Sequence, residues 1–255
     1  MWQEERYQRI RALLALEQRI STDRLVRELQ VSRETVRRDV AALEALGQLR
    51  RTHGGIVRPS ATEAPIAERA QLNVRFKEDI ARAVCSRLSA GQTVFIDAGT
   101  TTALLARQLA GLSGLTIITN AFDVALALRQ PEGGKRHQLI MLGGEMGERA
   151  AATVGGSTVN AIRHYRADIA LLSPVGVSCD MGASNYDLAE AEVALAMSEQ
   201  ADQTFILADA SKLGVSSRFS LCRAEAIDLL VSNQSAAESP ACQALATQVG
   251  ELWLV

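Results

Sequence analysis

One stretch near the start of the chain constrains the fold most, because its residues fit a helix with one apolar side and one charged side. The stretch runs Ser32-Arg33-Glu34-Thr35-Val36-Arg37-Arg38-Asp39-Val40. At about 100° per residue, Val36 and Val40 fall on one narrow face, and Glu34 and Arg38 fall on the opposite one. Such a helix can dock on a core and offer its charges to a partner, although an ordinary surface helix shows the same pattern.

The residues before this stretch predict two further helices. An apolar helical pattern runs from about Glu4 to Leu16, and Ser21-Thr22-Asp23 is a start signal for a second, short helix. Only Gln30-Val31-Ser32 separates the second helix from the charged one. Two short helices joined by a three- or four-residue turn are typical of DNA-binding helix-turn-helix units.

The residues after the charged helix predict a basic wing. Gly47 is a helix terminator, and the segment 48–58 reads as a small hairpin that turns at Gly54-Gly55. The charged helix, interpreted as a recognition helix, and the wing together predict binding to double-stranded operator DNA. The residues expected to contact it are Ser32, Arg33, Glu34, Thr35, Arg37, Arg38, Arg50, Arg51 and His53.

Charge and composition divide the chain. Residues 1–58 carry a net charge of +4 and the remainder −6, which gives −2 for the 255 residues. A cationic small module on an anionic larger one suits a protein that presents only one end to phosphate. Residues 59–65 contain two prolines and no apolar periodicity, so they read as a linker. The predicted domains are therefore 1–58, 59–65 and 66–255, the last for effector sensing and oligomerisation.

The second domain alternates short apolar strands with helices. Strands are predicted at 93–97, 115–119, 138–142, 169–172, 205–208, 227–231 and 251–255. Helices are expected between most of them, and a loop is expected from the end of the fourth strand to Ser184. Strands this apolar, spaced by helices, predict an α/β fold with a mostly parallel sheet covered on both faces.

Polar residues follow four of these strands, at the edge where ligands bind in such sheets. The clearest segment is Asp97-Ala98-Gly99-Thr100-Thr101-Thr102, in which a glycine, three hydroxyls and a helix N-terminus suit a phosphate. Three other strands end in Thr119-Asn120, Gly143-Gly144-Glu145 and Asp209-Ala210-Ser211-Lys212. Each segment alone could be a plain capped turn, but four in one sheet favour a site.

Both halves of the chain resemble the DeoR family of bacterial transcriptional regulators. The resemblance rests on Val31-Ser32, Thr35–Val40, Leu49-Arg50-Arg51 and His53-Gly54-Gly55, together with the four strand-end motifs. It implies a sensor fold similar to ribose-5-phosphate isomerase and CoA transferases. It also implies a repressor of a carbohydrate or polyol catabolic operon that a phosphorylated sugar releases. The implied effector site contains Asp97, Gly99, Thr100, Thr101, Thr102, Thr119, Asn120, Gly143, Gly144 and Lys212.

One segment departs from the family pattern. Members usually have Gly-x-Asp-Gly after the fourth strand, whereas this chain has Ser173-Pro174-Val175-Gly176 and keeps only the last glycine. The departure predicts a difference at the sugar end of the effector site. Family members also usually have an arginine and a lysine where this chain has Arg69 and Lys77.

The alternative interpretation is an enzyme, a sugar-phosphate isomerase or CoA transferase with a DNA-binding appendage. Isomerisation needs a carboxylate base with acid or electrophilic groups at the carbonyl. The acidic and lysine motifs of the similar isomerases are missing, and Glu145 and Asp187 are carboxylates without a recognisable partner. The prediction is therefore no catalysis, no cofactor and no metal. A purely architectural DNA-binding protein is disfavoured by the size of the second domain.

The remaining sequence features concern location and assembly. The four cysteines are widely spaced, which fits a reducing compartment. No signal-peptide pattern and no apolar run long enough for a membrane span are present. The expectation is a cytoplasmic, nucleoid-associated bacterial protein without membrane contact. It is also expected to form a homo-oligomer, dimer or tetramer, since operator half-sites are read in pairs.

Overall fold

The computed structural model of the protein describes residues 2–17, 19–46, 48–52, 54–57, 65–129 and 137–255. Its internal contacts divide the chain into two compact units, Met1–Glu63 and Ala64–Val255. Of the predicted linker 59–65, all but Pro65 lies outside the described residues, so the exact domain boundaries stay predictions.

The first unit pairs a helical core with a small antiparallel sheet. Its helices are α1 (Gln3–Leu16), α2 (Thr22–Leu29) and α3 (Arg33–Ala45), and its strands are β1 (Arg19–Ser21), β2 (Arg50–Thr52) and β3 (Gly55–Val57). The strand order is β1-β3-β2. The wing hairpin β2–β3 is confirmed, and β1 is an additional strand that was not predicted. Gly47, the predicted helix terminator, lies outside the described residues.

The second unit is built on a seven-stranded sheet in which every pairing is parallel. The strands are β4 (Thr93–Ile96), β5 (Thr116–Thr119), β6 (Gln138–Met141), β9 (Ala167–Leu172), β12 (Ala201–Leu207), β14 (Leu229–Ser232) and β15 (Glu251–Leu254). Their order across the sheet is β15-β14-β12-β9-β4-β5-β6. The predicted α/β fold with a mostly parallel sheet is confirmed.

Helices cover both faces of this sheet. They are α4 (Ile66–Gln71), α5 (Val74–Ser86), α6 (Thr100–Leu109), α7 (Phe122–Leu128), α8 (Gly156–Ile162), α9 (Leu188–Glu199) and α10 (Pro240–Leu245). Because side chains alternate along a strand, β4 sends Phe95 to one apolar cluster, with α8–α10, and Val94 and Ile96 to the other, with α5–α7. Both clusters are buried, which is why the strands read as continuous apolar runs.

One sequence prediction about this unit is wrong. The segment from the end of β9 to Ser184 is not a loop, because it contains β10 (Gly176–Ser178) and β11 (Gly182–Asn185). These strands form a separate antiparallel sheet with β13 (Phe219–Cys222). Two further short strands, β7 (Glu145–Met146) and β8 (Thr153–Val154), pair with each other. Strands of two to four residues rich in glycine and serine lack the β-branched pattern that indicates a strand in sequence.

In the described ranges, no helix combines the length and apolar character required to cross a membrane. The four cysteines are free thiols.

Candidate functional site

The structure places α3 as the sequence predicted. Val36, Val40 and Leu43 are buried against the core of the first unit. The hydroxyl of Ser32 accepts from the backbone N–H of Thr35 at 3.1 Å, so Ser32 is the N-cap. The charged side of α3 therefore faces away from the core, where a partner can reach it.

Three arginines on the exposed side of α3 are held in ion pairs. Their side chains are 71–80% exposed. Arg33 pairs with Asp23 at the start of α2. Glu34 pairs with both Arg37, at 3.1 Å, and Arg38, at 3.4 Å. A single carboxylate thus orients two guanidinium groups on the surface that the sequence assigned to DNA.

A buried ion pair joins α1 to α3, and the sequence analysis did not identify it. Asp39 is only 3% exposed. Its two carboxylate oxygens accept from Arg6, from Nε at 2.5 Å and from Nη2 at 3.0 Å. A two-bond arginine–carboxylate pair has a defined geometry, so it fixes the rotation of the recognition helix on α1. The available signal was a carboxylate three residues after Val36, next to the apolar stripe.

The wing packs against the end of α3. The backbone N–H of Arg51 donates to Glu44 Oε1 at 2.8 Å, and Arg51 Nε lies 2.5 Å from Glu44 Oε2. Position 55 requires a glycine because the backbone at Ile20 approaches it closely. A β-carbon on Gly55 would lie 2.2 Å from the Ile20 carbonyl oxygen. His53 and the side chain of Arg50, both expected to contact DNA, lie outside what the structure describes.

A groove of about 370 Å³ runs between α2, α3 and the wing. Its floor is apolar, whereas Asp23, Arg33, Arg37 and Arg51 stand along its rim. The groove lies on the face of the first unit that carries the recognition helix. It therefore belongs to the candidate DNA surface.

In the second unit the strand order changes direction between β4 and β9. After β4 the chain adds β5 and β6 on one side, and it then returns to place β9 on the other side. Open α/β sheets bind ligands at such a switch point, beyond the carboxyl ends of the strands. The residues that follow β4 and β9 there are Asp97 and Ser173.

Asp97 is buried at this switch point. Both of its carboxylate oxygens accept the backbone N–H of Ser173, each at 3.1 Å. Burial raises the pKa of Asp97 to about 7, although the Ser173 amide and the charge of Lys212 act in the opposite direction. A carboxyl with this pKa exchanges its proton near neutral pH, so it can donate or accept a hydrogen bond.

The first turn of α6 follows Asp97. Gly99 is its N-cap, no side chain caps the helix, and the first amides of a helix have no intrahelical partner. Thr102 Oγ1 donates to the Gly99 carbonyl at 3.0 Å. Thr101 is fully buried, and its hydroxyl has no hydrogen-bond partner among the described residues. Thr100 is partly exposed. This turn offers amides and a hydroxyl to an anion.

Lys212 stands on a short 3-10 turn (Ala210–Lys212) after β12 and reaches across to the end of β9. Its Nζ donates to the Pro174 carbonyl at 2.6 Å and to Ser173 Oγ at 3.4 Å. Asp209 caps the turn and also accepts from Asn73 Nδ2 at 3.0 Å. The strand ends that carry Asp97 and Lys212 are therefore brought together, as the sequence predicted.

Lys77 adds a buried cation to the partly buried Lys212. It is 3% exposed, and its Nζ donates to the Arg69 carbonyl at 2.6 Å. Burial first, and the charge of Lys212 second, lower the pKa of Lys77 to about 8, while the charge of Asp209 acts in the opposite direction. Two ammonium groups that influence each other make this part of the edge favourable for a doubly charged anion. The family pattern had marked Arg69 and Lys77, but their positions in the fold were not predicted.

The other predicted effector residues use their polar atoms within the protein. Thr119 Oγ1 donates to the Ile96 carbonyl at 2.7 Å and accepts from the Ala121 amide at 3.0 Å. Asn120 Nδ2 donates to the Thr153 carbonyl at 2.8 Å, whereas its buried Oδ1 has no partner among the described residues.

The Gly143–Gly144 segment is exposed, and its carbonyl at Gly143 accepts from Thr158 Oγ1 at 3.0 Å.

The two carboxylates considered for catalysis have other surroundings. Asp187 caps α9 by accepting the Glu190 amide at 3.1 Å, and Glu145 is exposed in β7. In the described ranges, no group of three or more histidine, cysteine or acidic side chains is arranged to hold a metal ion.

Comparison with known families matches both units. The DeoR-like helix-turn-helix domain matches residues 6–62, and the DeoR C terminal sensor domain matches residues 72–234. The glycerol-3-phosphate regulon repressor of Haemophilus influenzae is 36% identical over 213 residues, which is 83% of this chain and 82% of that protein. The transcriptional repressor GlcR of Bacillus subtilis is 33% identical over 236 residues, 92% of this chain and 90% of that protein.

A solved structure is similar at a greater distance. Ribose 5-phosphate isomerase A of Methanocaldococcus jannaschii is 18% identical over 55% of this chain and 54% of that chain, with a TM-score of 0.40. A likeness of this size supports no inference about chemistry.

Proposed function

The chain belongs to the DeoR family of transcriptional regulators, and from this premise we propose that it represses a carbohydrate or polyol catabolic operon. A phosphorylated sugar or polyol releases it from its operator. The observation that carries the proposal is the presence of a charged recognition helix in one unit and, in the other, a sheet edge where the partly buried Lys212 meets the end of β9. The proposed division is 1–58 for DNA, 59–65 as linker and 66–255 for sensing and oligomerisation, in the cytoplasm.

On the DNA side, α3 enters the major groove of the operator. Arg37 and Arg38 read base edges, since both project from the exposed side of α3. Arg33 and Arg51 stand on the rim of the groove beside α3 and contact backbone phosphate. His53 and Arg50 join them from the wing.

On the effector side, the phosphate sits at the N-terminus of α6. The amides of Thr100, Thr101 and Thr102 and the unpartnered Thr101 hydroxyl donate to its oxygens, and Lys212 supplies positive charge. Asp97 binds a sugar hydroxyl. The remaining predicted residues, Thr119, Asn120, Gly143 and Gly144, shape the edge.

Release requires that the effector bind two states of the repressor with different affinity. A homodimer or tetramer holds two first units at the spacing of operator half-sites, which is about one helical turn of DNA or a multiple of it. Effector binding favours an arrangement with a different spacing. The name of the Haemophilus influenzae relative, a glycerol-3-phosphate regulon repressor, makes glycerol 3-phosphate one of the first effectors to test.

The experiment is a thermal-shift screen of the full chain against phosphorylated sugars and polyols, followed by operator binding with and without each hit. A hit is expected to raise the unfolding temperature and to weaken operator binding. Lys212→Ala is expected to abolish both effects while operator binding without effector is kept. Arg82→Ala is the matched control, since Arg82 pairs with Asp79 on the exposed side of α5. An effector response that survives Lys212→Ala would contradict the site.

A further inference from the structure

Ser173 fills the space between the first turn of α6 and Lys212. A β-carbon built on Gly99 would lie 3.0 Å from Ser173 Cβ and 3.2 Å from Ser173 Oγ. The same Oγ accepts from Lys212 Nζ at 3.4 Å. The side chain of Ser173 therefore lies close to Gly99, the N-cap of α6, and is hydrogen-bonded to Lys212.

Hydrogen bonds and a proline fix the backbone around Ser173. Its N–H donates to both oxygens of Asp97, and Pro174 restricts it to extended conformations. The Pro174 carbonyl accepts from Lys212 at 2.6 Å, and the Val175 amide donates to Asn185 Oδ1 at 3.0 Å. Ser173 is also 7% exposed. Since the segment is fixed, the side chain acts as a rigid wall that a ligand must fit.

This wall limits what can be attached to the phosphate. When a phosphoryl group bound by the α6 amides and by Lys212 turns its ester oxygen toward Ser173, the ester carbon lies close to the Ser173 Cβ. Besides the ester oxygen, a primary carbon carries one heavy-atom substituent, whereas a secondary carbon carries two carbons and an anomeric carbon carries one carbon and the ring oxygen. Inserting an extra heavy atom into a packed site lowers affinity by about tenfold or more.

Resting on the proposed function, we propose that Ser173 is a specificity residue that restricts the effector site to phosphate esters of a primary carbon. Its hydroxyl donates to a phosphoryl oxygen while its oxygen accepts from Lys212. None of the strand-end motifs that indicated the site in the sequence includes this residue. The proposal names a class of effector, the primary phosphomonoesters of sugars and polyols.

Two isomer pairs test the class directly by calorimetry on the full chain. Glycerol 3-phosphate is compared with glycerol 2-phosphate, and glucose 6-phosphate with glucose 1-phosphate. Each pair has the same composition and charge and differs in the carbon that bears the phosphate. In at least one pair the primary ester is expected to bind about tenfold or more tightly than its isomer.

Two substitutions separate the bulk of the side chain from its hydroxyl. Ser173→Gly removes the wall, so the secondary ester is expected to gain affinity until the isomers differ by less than about threefold. Ser173→Ala keeps the β-carbon and loses the hydrogen bond, so both isomers weaken by about tenfold and their ratio is kept. Ser178→Ala is the matched control, because Ser178 is a nearby buried serine whose Oγ accepts from the Met181 amide and from Ser216.

The outcomes distinguish this inference from the proposed function. Equal affinity for the isomers in the unsubstituted protein, or an unchanged ratio in Ser173→Gly, overturns the role of Ser173 and leaves the effector site standing. Binding of none of the four esters at millimolar concentration, with no effect of Lys212→Ala on any hit of the screen, overturns the effector site and this inference with it. Unchanged unfolding temperature and operator affinity show that each variant is folded.

Discussion

Arg38 projects from α3 on the side opposite the buried stripe, and its side chain is 80% exposed. Glu34 holds the guanidinium in an i,i+4 ion pair, so the arginine is oriented before DNA arrives. A two-bond contact between arginine and guanine contributes about 1–3 kcal/mol of discrimination. The side chain is therefore suited to reading one base pair of the operator.

Arg38→Ala is expected to lose about 1–3 kcal/mol of preference for the operator over a sequence with one exchanged base pair. Arg38→Lys keeps the charge without the two-bond geometry, so it should bind DNA but discriminate poorly. Fluorescence anisotropy at matched salt measures both affinities. If Arg38→Ala binds operator as tightly and selectively as the unsubstituted protein, the assignment of α3 is wrong.

At the proposed effector site, Asp97 is expected to make effector binding depend on pH. Because burial raises its pKa to about 7, the carboxyl is neutral below that pH and negative above it. The negative form repels a phosphate dianion, and the charges of Lys212 and Glu190 also act on Asp97. Between pH 6.5 and 7.5 the neutral fraction falls about threefold, and effector affinity is expected to fall by up to the same factor.

Asp97→Asn is expected to abolish this fall, because the amide stays neutral and still accepts from Ser173. Above about pH 8, both proteins should weaken as Lys77 loses its proton. Calorimetry with a hit from the screen measures the effector affinity of the unsubstituted protein and of Asp97→Asn at the same pH values. A fall of equal size in Asp97→Asn would rule out the carboxyl as its source.

The raised pKa of Asp97 also has a defined effect on stability. The folded chain keeps a proton that the unfolded chain releases, so the free energy of unfolding declines as pH rises from about 4 to about 7. Above that range the contribution is constant.

Among the elements, α3 depends on α1 for its orientation. Asp39 is buried, and Arg6, at 13% side-chain exposure, neutralises it with two hydrogen bonds. Removing one partner of a buried ion pair leaves an uncompensated charge and typically costs about 3–5 kcal/mol. The pair therefore ties the recognition helix to the core more firmly than its apolar stripe alone.

Arg6→Ala is expected to destabilise the first unit, because it leaves the buried Asp39 carboxylate without Arg6, and to weaken operator binding, although Arg6 need not touch DNA. Hydrogen exchange of the α3 amides should accelerate, while exchange in the seven-stranded sheet stays unchanged. Arg9→Ala is the control, because the Arg9–Glu28 pair is exposed and its atoms lie 3.5 Å apart. Unchanged exchange in α3 would show that the Arg6–Asp39 pair does not hold the helix.

At the scale of the whole molecule, operator and effector binding must be linked in both directions. If the effector weakens operator binding by some factor, the operator weakens effector binding by the same factor. Typical coupling between two sites is about 5–150-fold. Because we propose the two sites in different units of the chain, the coupling has to be transmitted from one unit to the other.

We expect the same factor from two independent titrations, one of operator at saturating effector and one of effector at saturating operator. A matched pair of operators tests the proposed oligomer, because inserting about half a helical turn between half-sites should remove most of the affinity of a protein that reads both. An operator affinity that the insertion leaves unchanged would mean that a single first unit binds alone.

The sequence by itself determined the elements and the kind of protein. Helix α3, its cap Ser32 and its buried stripe follow from local periodicity and capping, which act within a few residues. The seven central strands are apolar because both of their faces are covered, so their positions were also visible in the sequence. Polar residues after four of them indicated which edge carries the site.

Tertiary structure decided which of those polar residues meet. Strand order brings Ser173 next to Asp97, 76 positions earlier in the chain, and the same order lets Lys212 reach Pro174. The tertiary structure also engages the Thr119 hydroxyl in a hydrogen bond to the Ile96 carbonyl, and it pairs Asp39 with Arg6. The short strands β10 and β11 pair with each other, and the later strand β13 completes their sheet by pairing with β11. Such contacts depend on the packing of segments that are far apart in the sequence, so no local pattern of residues predicts them.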